Sequence, residues 1–207
     1  HFYEVPNLFR NGVLAALLTP GVRVIHGEHG RDLSDPEGLN RRRNFFRRLM
    51  QFRVDKFVAV SADLLRWLRD VINIKPAKLQ LITNGVDTNR FCPGRKTGLR
   101  EKLGFTTNDF IVGSIGRLDP VKNHEGLIRA IHQLEQEGRR LRLMIIGDGP
   151  NRRNLELLVK TRQWRDQPFL MSAQLAVEDF YGLFDIFVLN SFAEGMSNTI
   201  LEAMACG

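Results

Sequence analysis

The segment from Gly113 to Asn123 places two cations just after a predicted strand that contains glycine. It reads Gly-Ser-Ile-Gly-Arg-Leu-Asp-Pro-Val-Lys-Asn, so Arg117 and Lys122 lie five residues apart, directly before a predicted helix. Ligands of open parallel sheets bind outside the carboxyl ends of the strands. Gly116 would let a ligand approach the backbone, Arg binds phosphate in bidentate fashion, and Lys acts as a point charge. The pattern indicates a diphosphate site, with two solvated loop charges as the alternative.

Two glutamates flank a small polar loop near the end of the chain. Glu194 precedes Gly195, and Glu202 lies eight residues after Glu194, inside a predicted helix. Ser197 or Asn198 would cap that helix and leave backbone N–H groups at its positive end, which suits a phosphate. Carboxylates accept hydrogen bonds from sugar hydroxyls. Taken alone, the segment is better explained by a loop acid and a helix-surface acid.

Two histidines stand beside a predicted strand end early in the chain. The predicted strand Val22–His26 is followed by Gly-Glu-His-Gly, so His26 and His29 flank Glu28. A histidine at a strand's carboxyl end can reach a ligand, and the grouping raises the question of a metal site. The helical His-Glu-x-x-His arrangement is absent, and the neighbouring glycines favour a loop. We therefore expect no metal here.

A further glycine-rich turn, Gly147-Asp148-Gly149-Pro150, also follows a predicted strand. It matches the beginning of the G-x-G-x-x-G dinucleotide fingerprint, but Arg152 holds the position of the third glycine. That glycine permits close packing of helix on strand, so a nicotinamide-dependent oxidoreductase is disfavoured. A tight turn near a nucleotide is the favoured interpretation, and a purely structural turn is the alternative.

The densest positive charge lies in Arg41–Arg53, which has six arginines, no acid and several Phe, Leu and Met residues. Such a helix could lie on an anionic membrane or contact RNA. The plainer alternative is a domain helix with its apolar face inward and its arginines solvated. Salt-sensitive RNA binding without affinity for nucleotide sugars would identify a non-catalytic basic α/β module.

The composition of the chain is that of a globular protein with 207 residues, 43% hydrophobic and 26% charged, and a net charge of +7. The basic balance fits nucleic acid, phosphorylated small molecules or anionic membranes, without choosing among them. Two cysteines exclude a disulfide scaffold and fit a reducing compartment. No apolar run approaches the ~20 residues of a transmembrane helix, and we recognise no signal peptide. We expect a cytoplasmic protein.

Short apolar runs alternate with amphipathic stretches, which predicts parallel strands joined by helices and an α/β class. The predicted strands are Val22–His26, Lys56–Val60, Leu79–Thr83, Phe110–Ile115, Leu141–Ile146 and Ile186–Leu189. The predicted helices are Asn40–Phe52, Ala62–Val71, Asn123–Glu137, Asn151–Arg162, Val177–Phe184 and Ser197–Cys206. Turn chemistry over Asn84–Leu99 marks a boundary region. We expect residues 1–75 and 76–207 to form two units.

Together these segments resemble the group 1 retaining glycosyltransferases, which use nucleotide-sugar donors and have the GT-B fold of two facing Rossmann-like domains. The matching motifs are His29-Gly30, Asn84-Gly85-Val86-Asp87, Gly116-Arg117-Leu118 with Lys122, Gly147-Asp148-Gly149-Pro150, Glu194-Gly195, and Glu202-Ala203-Met204-Ala205. The resemblance implies that residues 1–75 are the C-terminal part of the acceptor-side domain and 76–207 the donor-binding domain. It also implies that both are incomplete, so we expect the parent protein rather than this segment to be active.

The resemblance gives roles to matched residues. Arg117 and Lys122 would hold the donor diphosphate beside Gly116, Glu202 would bind the ribose hydroxyls, and Glu194 would contact the transferred sugar. His29 would reach the sugar near the reacting carbon, with His26 the weaker candidate. The residues whose backbone would contact sugar and phosphate are Gly195, Met196, Ser197, Asn198 and Thr199. The family generally works without a metal, so the nucleotide sugar is a substrate and no cofactor is expected.

The implied reaction moves a hexose from a nucleotide-diphosphate sugar to a carbohydrate or lipid-linked acceptor, with retention of configuration. The forms Gly-Glu-His-Gly-Arg-Asp and Glu-Gly-Met-Ser-Asn look closest to bacterial exopolysaccharide transferases. Arg41–Arg53 could then hold the enzyme at the inner face of a membrane, and nucleic acid is not an expected partner. Two positions depart from the family: Asn190 replaces a proline, and Phe169-Leu170-Met171 lacks a glycine near the base pocket.

Overall fold

The computed structural model describes residues 21–31, 35, 37–94, 98–174 and 176–207. Residues 1–20, which begin the predicted first unit, lie outside this part of the chain, as does Asp32 of the Gly-Glu-His-Gly-Arg-Asp motif. The chain divides into two compact units. The first comprises His1–Asn84 with Ala193–Ser197, and the second comprises Gly85–Phe192 with Asn198–Gly207.

The first unit contains a three-stranded parallel sheet with the order β1-β2-β3. The strands are β1 (Ile25–Glu28), β2 (Lys56–Ala59) and β3 (Leu79–Leu81), and the helices are α1 (Arg41–Met50) and α2 (Ala62–Asp70), with a 3₁₀ turn at Pro76–Lys78. Ser61 caps α2 by accepting a hydrogen bond from the Leu64 N–H, and Leu64, Trp67 and Leu68 bury the inner face of that helix. Because β3 pairs with β2, this unit continues to Asn84, beyond the boundary expected at residue 75.

The second unit contains a four-stranded parallel sheet with the order β6-β5-β4-β7. The strands are β4 (Ile111–Ile115), β5 (Arg142–Ile146), β6 (Phe169–Met171) and β7 (Ile186–Phe187). The helices are α3 (Leu99–Lys102), α4 (His124–Gln136), α5 (Arg152–Lys160), α6 (Glu178–Tyr181) and α7 (Asn198–Cys206), with a 3₁₀ turn at Pro120–Lys122. Every residue of β4 is buried, and separate apolar clusters pack around Ile111 and Ile128. From β4 the chain adds β5 and β6 on one side and then places β7 on the other, so the position between β4 and β7 is a topological switch point.

The α/β class with parallel sheets is confirmed, with local differences from the predicted elements. The first strand begins three residues and ends two residues later than expected, so His26 is inside β1 and His29 follows its end. Strand β6 was not predicted, because a three-residue strand shows little periodicity. Helix α6 ends at Tyr181 rather than Phe184, because Gly182 and Leu183 turn the chain toward β7.

The buried and exposed residues of helix α1 differ in part from the plainer prediction. Phe45 is 62% exposed and Phe46 50% exposed, whereas Asn44 and Arg47 are buried. The Arg47 guanidinium lies over the Trp67 ring, 5.1 Å from its centroid. The inward apolar face of the plainer alternative is therefore wrong for this helix, whereas Arg41, Arg42 and Arg48 are exposed as that alternative expected. Within the ranges given above, no helix is both long and apolar enough to cross a bilayer.

Candidate active site

A cavity of about 350 Å³ opens at the carboxyl edge of the second unit's sheet. The lining residues that follow β4, β5 and β6 are, respectively, Gly116 and Arg117, Gly147 and Asp148, and Ala173 and Gln174; Val177 also contributes. Ligands of parallel α/β sheets bind at this edge. The cavity therefore contains part of the predicted diphosphate segment, together with a loop that the sequence patterns did not identify.

The loops after β4 and β5 lie against each other, backbone to backbone. The Leu118 N–H donates to the Asp148 carbonyl at 2.9 Å, and the Asn151 N–H donates to the Leu118 carbonyl at 2.9 Å. Gly147 has φ +156°, and a Cβ atom added there would lie 1.9 Å from the Gly116 carbonyl oxygen. Glycine is therefore required at position 147 by the close approach of the two backbones.

Asp148 and Arg152 cross-link the turn after β5 to the neighbouring strand end. The Ala173 N–H donates to Asp148 Oδ2 at 2.8 Å, and this bond, with the Arg152 charge, lowers the pKa of Asp148. The Arg152 guanidinium donates to Asp148 Oδ1 at 2.8 Å, to the Gly147 carbonyl at 3.2 Å and to the Leu170 carbonyl at 3.3 Å. The residue that departs from the dinucleotide fingerprint thus stabilises one wall of the cavity.

The cationic loop after β4 is shaped by its own polar side chains. Arg117 forms an ion pair with Asp119 at 2.7 Å, and Asp119 Oδ1 accepts a hydrogen bond from the Val121 N–H at 3.2 Å. Lys122 ends the 3₁₀ turn that Asp119 caps. The next residue, Asn123, has φ 52° and caps α4 by accepting from the Gly126 N–H at 3.2 Å. Asparagine adopts this left-handed conformation more readily than most residues.

The loop after β7 is joined to the cationic loop at the switch point. The Asn190 side-chain amide donates to the Asn123 carbonyl at 2.9 Å, and the Phe192 N–H donates to the Val121 carbonyl at 2.9 Å. Lys122 lies between these two anchored residues. Asn190, one of the two departures from the family pattern, therefore contributes a bond that proline could not make.

His124 begins α4 directly after this loop. It is 2% exposed, and its Nδ1 atom is buried without a hydrogen-bond partner. Burial lowers the pKa of His124 to about 4, and the positive charge of Lys122 acts in the same direction. The imidazole is therefore neutral at physiological pH and adds no positive charge beside Lys122.

Glu202 lies in α7, where its carboxylate is anchored by a buried phenol. The Tyr181 hydroxyl donates to Glu202 Oε2 at 2.7 Å. Burial first, and then the hydrogen bond to Glu202, raise the pKa of Tyr181, so this hydroxyl remains a donor across the physiological range. Nearby, Arg90 pairs with Glu178 at 2.8 Å.

The first unit brings the segment Ala193–Ser197 against the end of β1. A Cβ atom added at Gly195 would lie 2.0 Å from the His29 carbonyl oxygen, and the Asn84 amide donates to the Met196 carbonyl at 2.9 Å. His29 is exposed, whereas His26 Nε2 lies 3.1 Å from the buried Glu28 carboxylate. The role that the resemblance gives to His29, with His26 as the weaker candidate, stays a prediction.

The predicted site residues thus fall into two groups. The first unit contains His29, Glu194, Gly195, Met196 and Ser197, and the second contains Gly116, Arg117, Lys122, Asn198, Thr199 and Glu202. The sequence analysis did not identify Ala173, Gln174 and Val177 as residues that line the cavity, because they follow the unpredicted strand β6. The apolar pair Phe169-Leu170 was the signal that could have predicted this strand. In the described ranges, no three His, Cys, Asp or Glu side chains are grouped to hold a metal ion.

Comparison with known proteins identifies similar chains. The chain is 28% identical over 164 residues to the putative glycosyltransferase EpsF of Bacillus subtilis, covering 78% of this chain and 43% of EpsF. It is 25% identical over 213 residues to N-acetyl-alpha-D-glucosaminyl L-malate synthase of Bacillus anthracis, covering 99% of this chain and 53% of that protein. The chain thus spans about half or less of the length of these curated relatives.

Solved structures share the fold across nearly the whole chain. Anabaena HepE in complex with UDP-glucose matches with a TM-score of 0.80 at 20% identity, over 98% of this chain and 56% of HepE. Sucrose-phosphate synthase from Thermosynechococcus elongatus matches with a TM-score of 0.76 at 22% identity, over 94% of this chain and 51% of that one. These neighbours confirm the GT-B-like fold that the motifs implied.

Family models cover both units. The model for glycosyltransferase family 4 matches residues 5–90, and the model for glycosyl transferases group 1 matches residues 95–207. The second match covers more than half of the 207 residues and includes the cavity, the cationic loop and Glu202. The chain belongs to the group 1 glycosyl transferases.

Proposed function

We propose that the protein transfers a hexose from a nucleotide-diphosphate sugar to a carbohydrate or lipid-linked acceptor, with retention of configuration. The observation that carries this proposal is the cavity at the carboxyl edge of β4, β5 and β6, which continues into the loop bearing Arg117 and Lys122. HepE, which shares the fold, was solved with UDP-glucose, and this supports a nucleotide sugar as the donor.

Each proposed donor contact combines the role that the family motif implies with the position of its residue. The base occupies the cavity, whose wall is fixed by Asp148 and Arg152. Gly116 leaves the backbone accessible, because a Cβ atom there would meet nothing within 4 Å. Arg117 and Lys122 bind the diphosphate, and Glu202 accepts a hydrogen bond from the ribose. The backbone of Gly195–Thr199 contacts sugar and phosphate, using the N–H groups that precede and begin α7.

The chemistry requires charge stabilisation rather than a dedicated acid. The bond between the anomeric carbon and the leaving phosphate oxygen breaks, and the acceptor hydroxyl oxygen forms the new bond on the same face of the sugar. The acceptor's proton passes to the leaving diphosphate. Arg117 and Lys122 stabilise the negative charge that develops there, while Glu194 and His29 contact the sugar. Since two fixed cations supply this stabilisation, we infer that transfer needs no metal and persists in a chelator.

Alanine substitutions in the parent protein test the reaction. Lys122→Ala and Glu194→Ala should each lower kcat by about 100-fold or more, because each removes a group expected to act in the transition state. Lys160→Ala is the matched control, since Lys160 is an exposed lysine at the end of α5 in the same unit. The readout is release of nucleoside diphosphate with circular dichroism as the check on folding. Unchanged turnover in both variants would overturn the assignment.

We propose an acceptor with a negatively charged group, within the broader class of carbohydrate and lipid-linked acceptors. The names of three relatives each include a negatively charged compound: D-inositol 3-phosphate in Rhodococcus erythropolis, L-malate in Bacillus anthracis and a diphospho-undecaprenol glycan in Campylobacter jejuni. The forms Gly-Glu-His-Gly-Arg-Asp and Glu-Gly-Met-Ser-Asn, which resemble those of bacterial exopolysaccharide transferases, favour a role in cell-surface polysaccharide synthesis. A screen of nucleotide sugars against charged and neutral acceptors tests this, and preference for a neutral acceptor would refute it.

We further propose that α1 contacts an anionic membrane at its cytoplasmic face. The helix exposes Phe45, Phe46 and Leu49 together with Arg41 and Arg42, so apolar and cationic groups share one accessible surface. Such a surface suits the headgroup boundary of anionic lipids. Sedimentation with phosphatidylglycerol vesicles should exceed that with phosphatidylcholine vesicles, and Phe45→Ser with Phe46→Ser should abolish the difference. Binding to RNA but to neither vesicle would identify the alternative basic module.

A further inference from the structure

Tyr181 ends α6 and is 5% exposed, within a cluster of aromatic side chains. Its ring centroid lies 5.9 Å from that of Phe91, 5.5 Å from Phe187 and 6.3 Å from Phe184. The phenyl ring alone would satisfy this packing. The hydroxyl is therefore the feature that the aromatic cluster does not explain.

The hydroxyl has a defined partner, which is one oxygen of the Glu202 carboxylate. The O–H donates to Oε2 at 2.7 Å. Hydrogen bonds to an ionised acceptor are short and strong, and they hold the acceptor's orientation. Glutamate has several rotatable bonds, so an unanchored Glu202 would sample several rotamers. With Oε2 engaged by Tyr181, the carboxylate is oriented with a second oxygen left to accept other donors.

Arg90, a cation on which the Glu202 charge acts, forms an ion pair with another carboxylate. Arg90 donates to Glu178 Oε2 at 2.8 Å and lies over the Phe91 ring at 5.2 Å. The Glu202 carboxylate also acts electrostatically on Arg90, while the hydrogen bond described above comes to it from the neutral Tyr181 phenol. A carboxylate oxygen can accept hydrogen bonds from neutral hydroxyls.

We propose that Tyr181 is the positioning residue that makes Glu202 select a ribose over a deoxyribose. Tyr181 fixes Oε2 so that Oε1 meets the ribose hydroxyls of the donor. This inference rests on the proposed function, because it needs a nucleotide to bind near Glu202. It extends that function by naming the group that sets the geometry of the sugar-recognising carboxylate.

The test measures discrimination between nucleotides rather than affinity alone. Calorimetry on the intact protein compares UDP, ADP and GDP, each with its 2′,3′-dideoxy counterpart. Wild type should bind at least one ribonucleotide more tightly than its dideoxy counterpart. Tyr181→Phe should reduce that preference by about tenfold while leaving affinity for the dideoxy compound unchanged, since only a hydrogen-bond contribution is lost. Phe187→Leu, which alters the same aromatic cluster but keeps the hydroxyl, should preserve the preference.

A double-variant cycle separates positioning from packing. Glu202→Ala should remove the preference, and adding Tyr181→Phe to it should change nothing more, because Tyr181 acts through Glu202. A Tyr181→Phe protein that folds and keeps the wild-type preference would overturn this inference and leave the proposed function standing. If wild type binds none of the nucleotides, or binds ribo- and dideoxy forms equally, the proposed donor site fails and this inference fails with it.

Discussion

Replacing Gly147 with alanine is the sharpest test of the cavity wall. The added Cβ atom would lie 1.9 Å from the Gly116 carbonyl oxygen and 2.9 Å from its carbon, well inside van der Waals contact. Neither backbone can move freely. The Gly116 N–H donates to the Ile146 carbonyl at 3.0 Å, and the Gly147 N–H donates to the Met171 carbonyl at 3.0 Å. Because these hydrogen bonds hold the ends of β4, β5 and β6 together, a movement of one loop alone cannot relieve the clash.

Two costs contribute to the expected loss of stability. Forcing extra atoms into a packed region costs about 1–3 kcal/mol. The φ angle of +156° at Gly147 lies in a region that residues with a Cβ atom rarely adopt, which adds roughly 1–3 kcal/mol. We expect Gly147→Ala to lower the free energy of unfolding of the second unit by about 2–6 kcal/mol. That is a large part of the ~5–15 kcal/mol typical of a folded domain.

The assay is urea denaturation with a matched glycine variant. Gly138→Ala is the control, since Gly138 has φ +86° but open space around its Cβ position, so it carries the backbone cost without a clash. In a shared Trp67→Phe background, the fluorescence of Trp164 reports on the second unit. We expect Gly138→Ala to cost about 1–2 kcal/mol. If Gly147→Ala costs no more than Gly138→Ala, the close approach of the two loops is wrong.

Three further changes probe the same unit. His124→Gln should flatten the pH dependence of the free energy of unfolding. The pKa of His124 is lowered from 6.5 to about 4 in the folded state, so the unfolded chain binds the proton first as pH falls, and the wild type loses about 3 kcal/mol between pH 6.5 and pH 4 but nothing above pH 6.5. Urea titration at several pH values tests this, and an equal pH dependence in the two proteins would contradict it. Arg152→Lys keeps the positive charge but loses the forked contacts to the Gly147 and Leu170 carbonyls, so the free energy of unfolding should fall by about 1–3 kcal/mol. The control Lys160→Arg, at an exposed position, should change it little. A urea midpoint for Arg152→Lys equal to that of the wild type would show that the cross-link is unimportant. Asn190→Ala should weaken the binding of nucleoside diphosphate about threefold to tenfold, because the Asn123 carbonyl next to Lys122 loses its hydrogen bond. Calorimetry measures this affinity, and an unchanged value would show that the bond does not support the site.

Much of the second unit could be predicted because its signals are local. The apolar runs of β4 and β5 and the glycines and cations that follow them are contiguous in the chain, and each suffices to place a turn at a strand end. Gly116 and Arg117 line the cavity at the carboxyl edge of the sheet. Strand β6 escaped prediction because its three residues gain their regularity from pairing with β5, a contact that no local pattern encodes.

Helix α1 shows how tertiary contacts override an amphipathic pattern. Its alternation of arginine and phenylalanine predicts a helix but not which face turns inward. The buried Glu28 carboxylate lies 3.5 Å from Arg47 Nη2, and the Trp67 ring receives the guanidinium, so a charged residue takes the inner face. Burying a charge is costly unless it is paired, and the partner comes from β1, 19 residues away along the chain.

The amino-acid sequence by itself determined the α/β class, the order of the motifs and the family, because these depend on composition and on spacing between near neighbours. The tertiary structure alone decided which side chains act on one another. The Tyr181–Glu202 bond joins residues 21 positions apart, and the Asn190–Asn123 bond joins residues 67 positions apart. Such contacts form only when strand order brings distant loops to one edge of the sheet, and strand order is fixed by long-range pairing rather than by local periodicity.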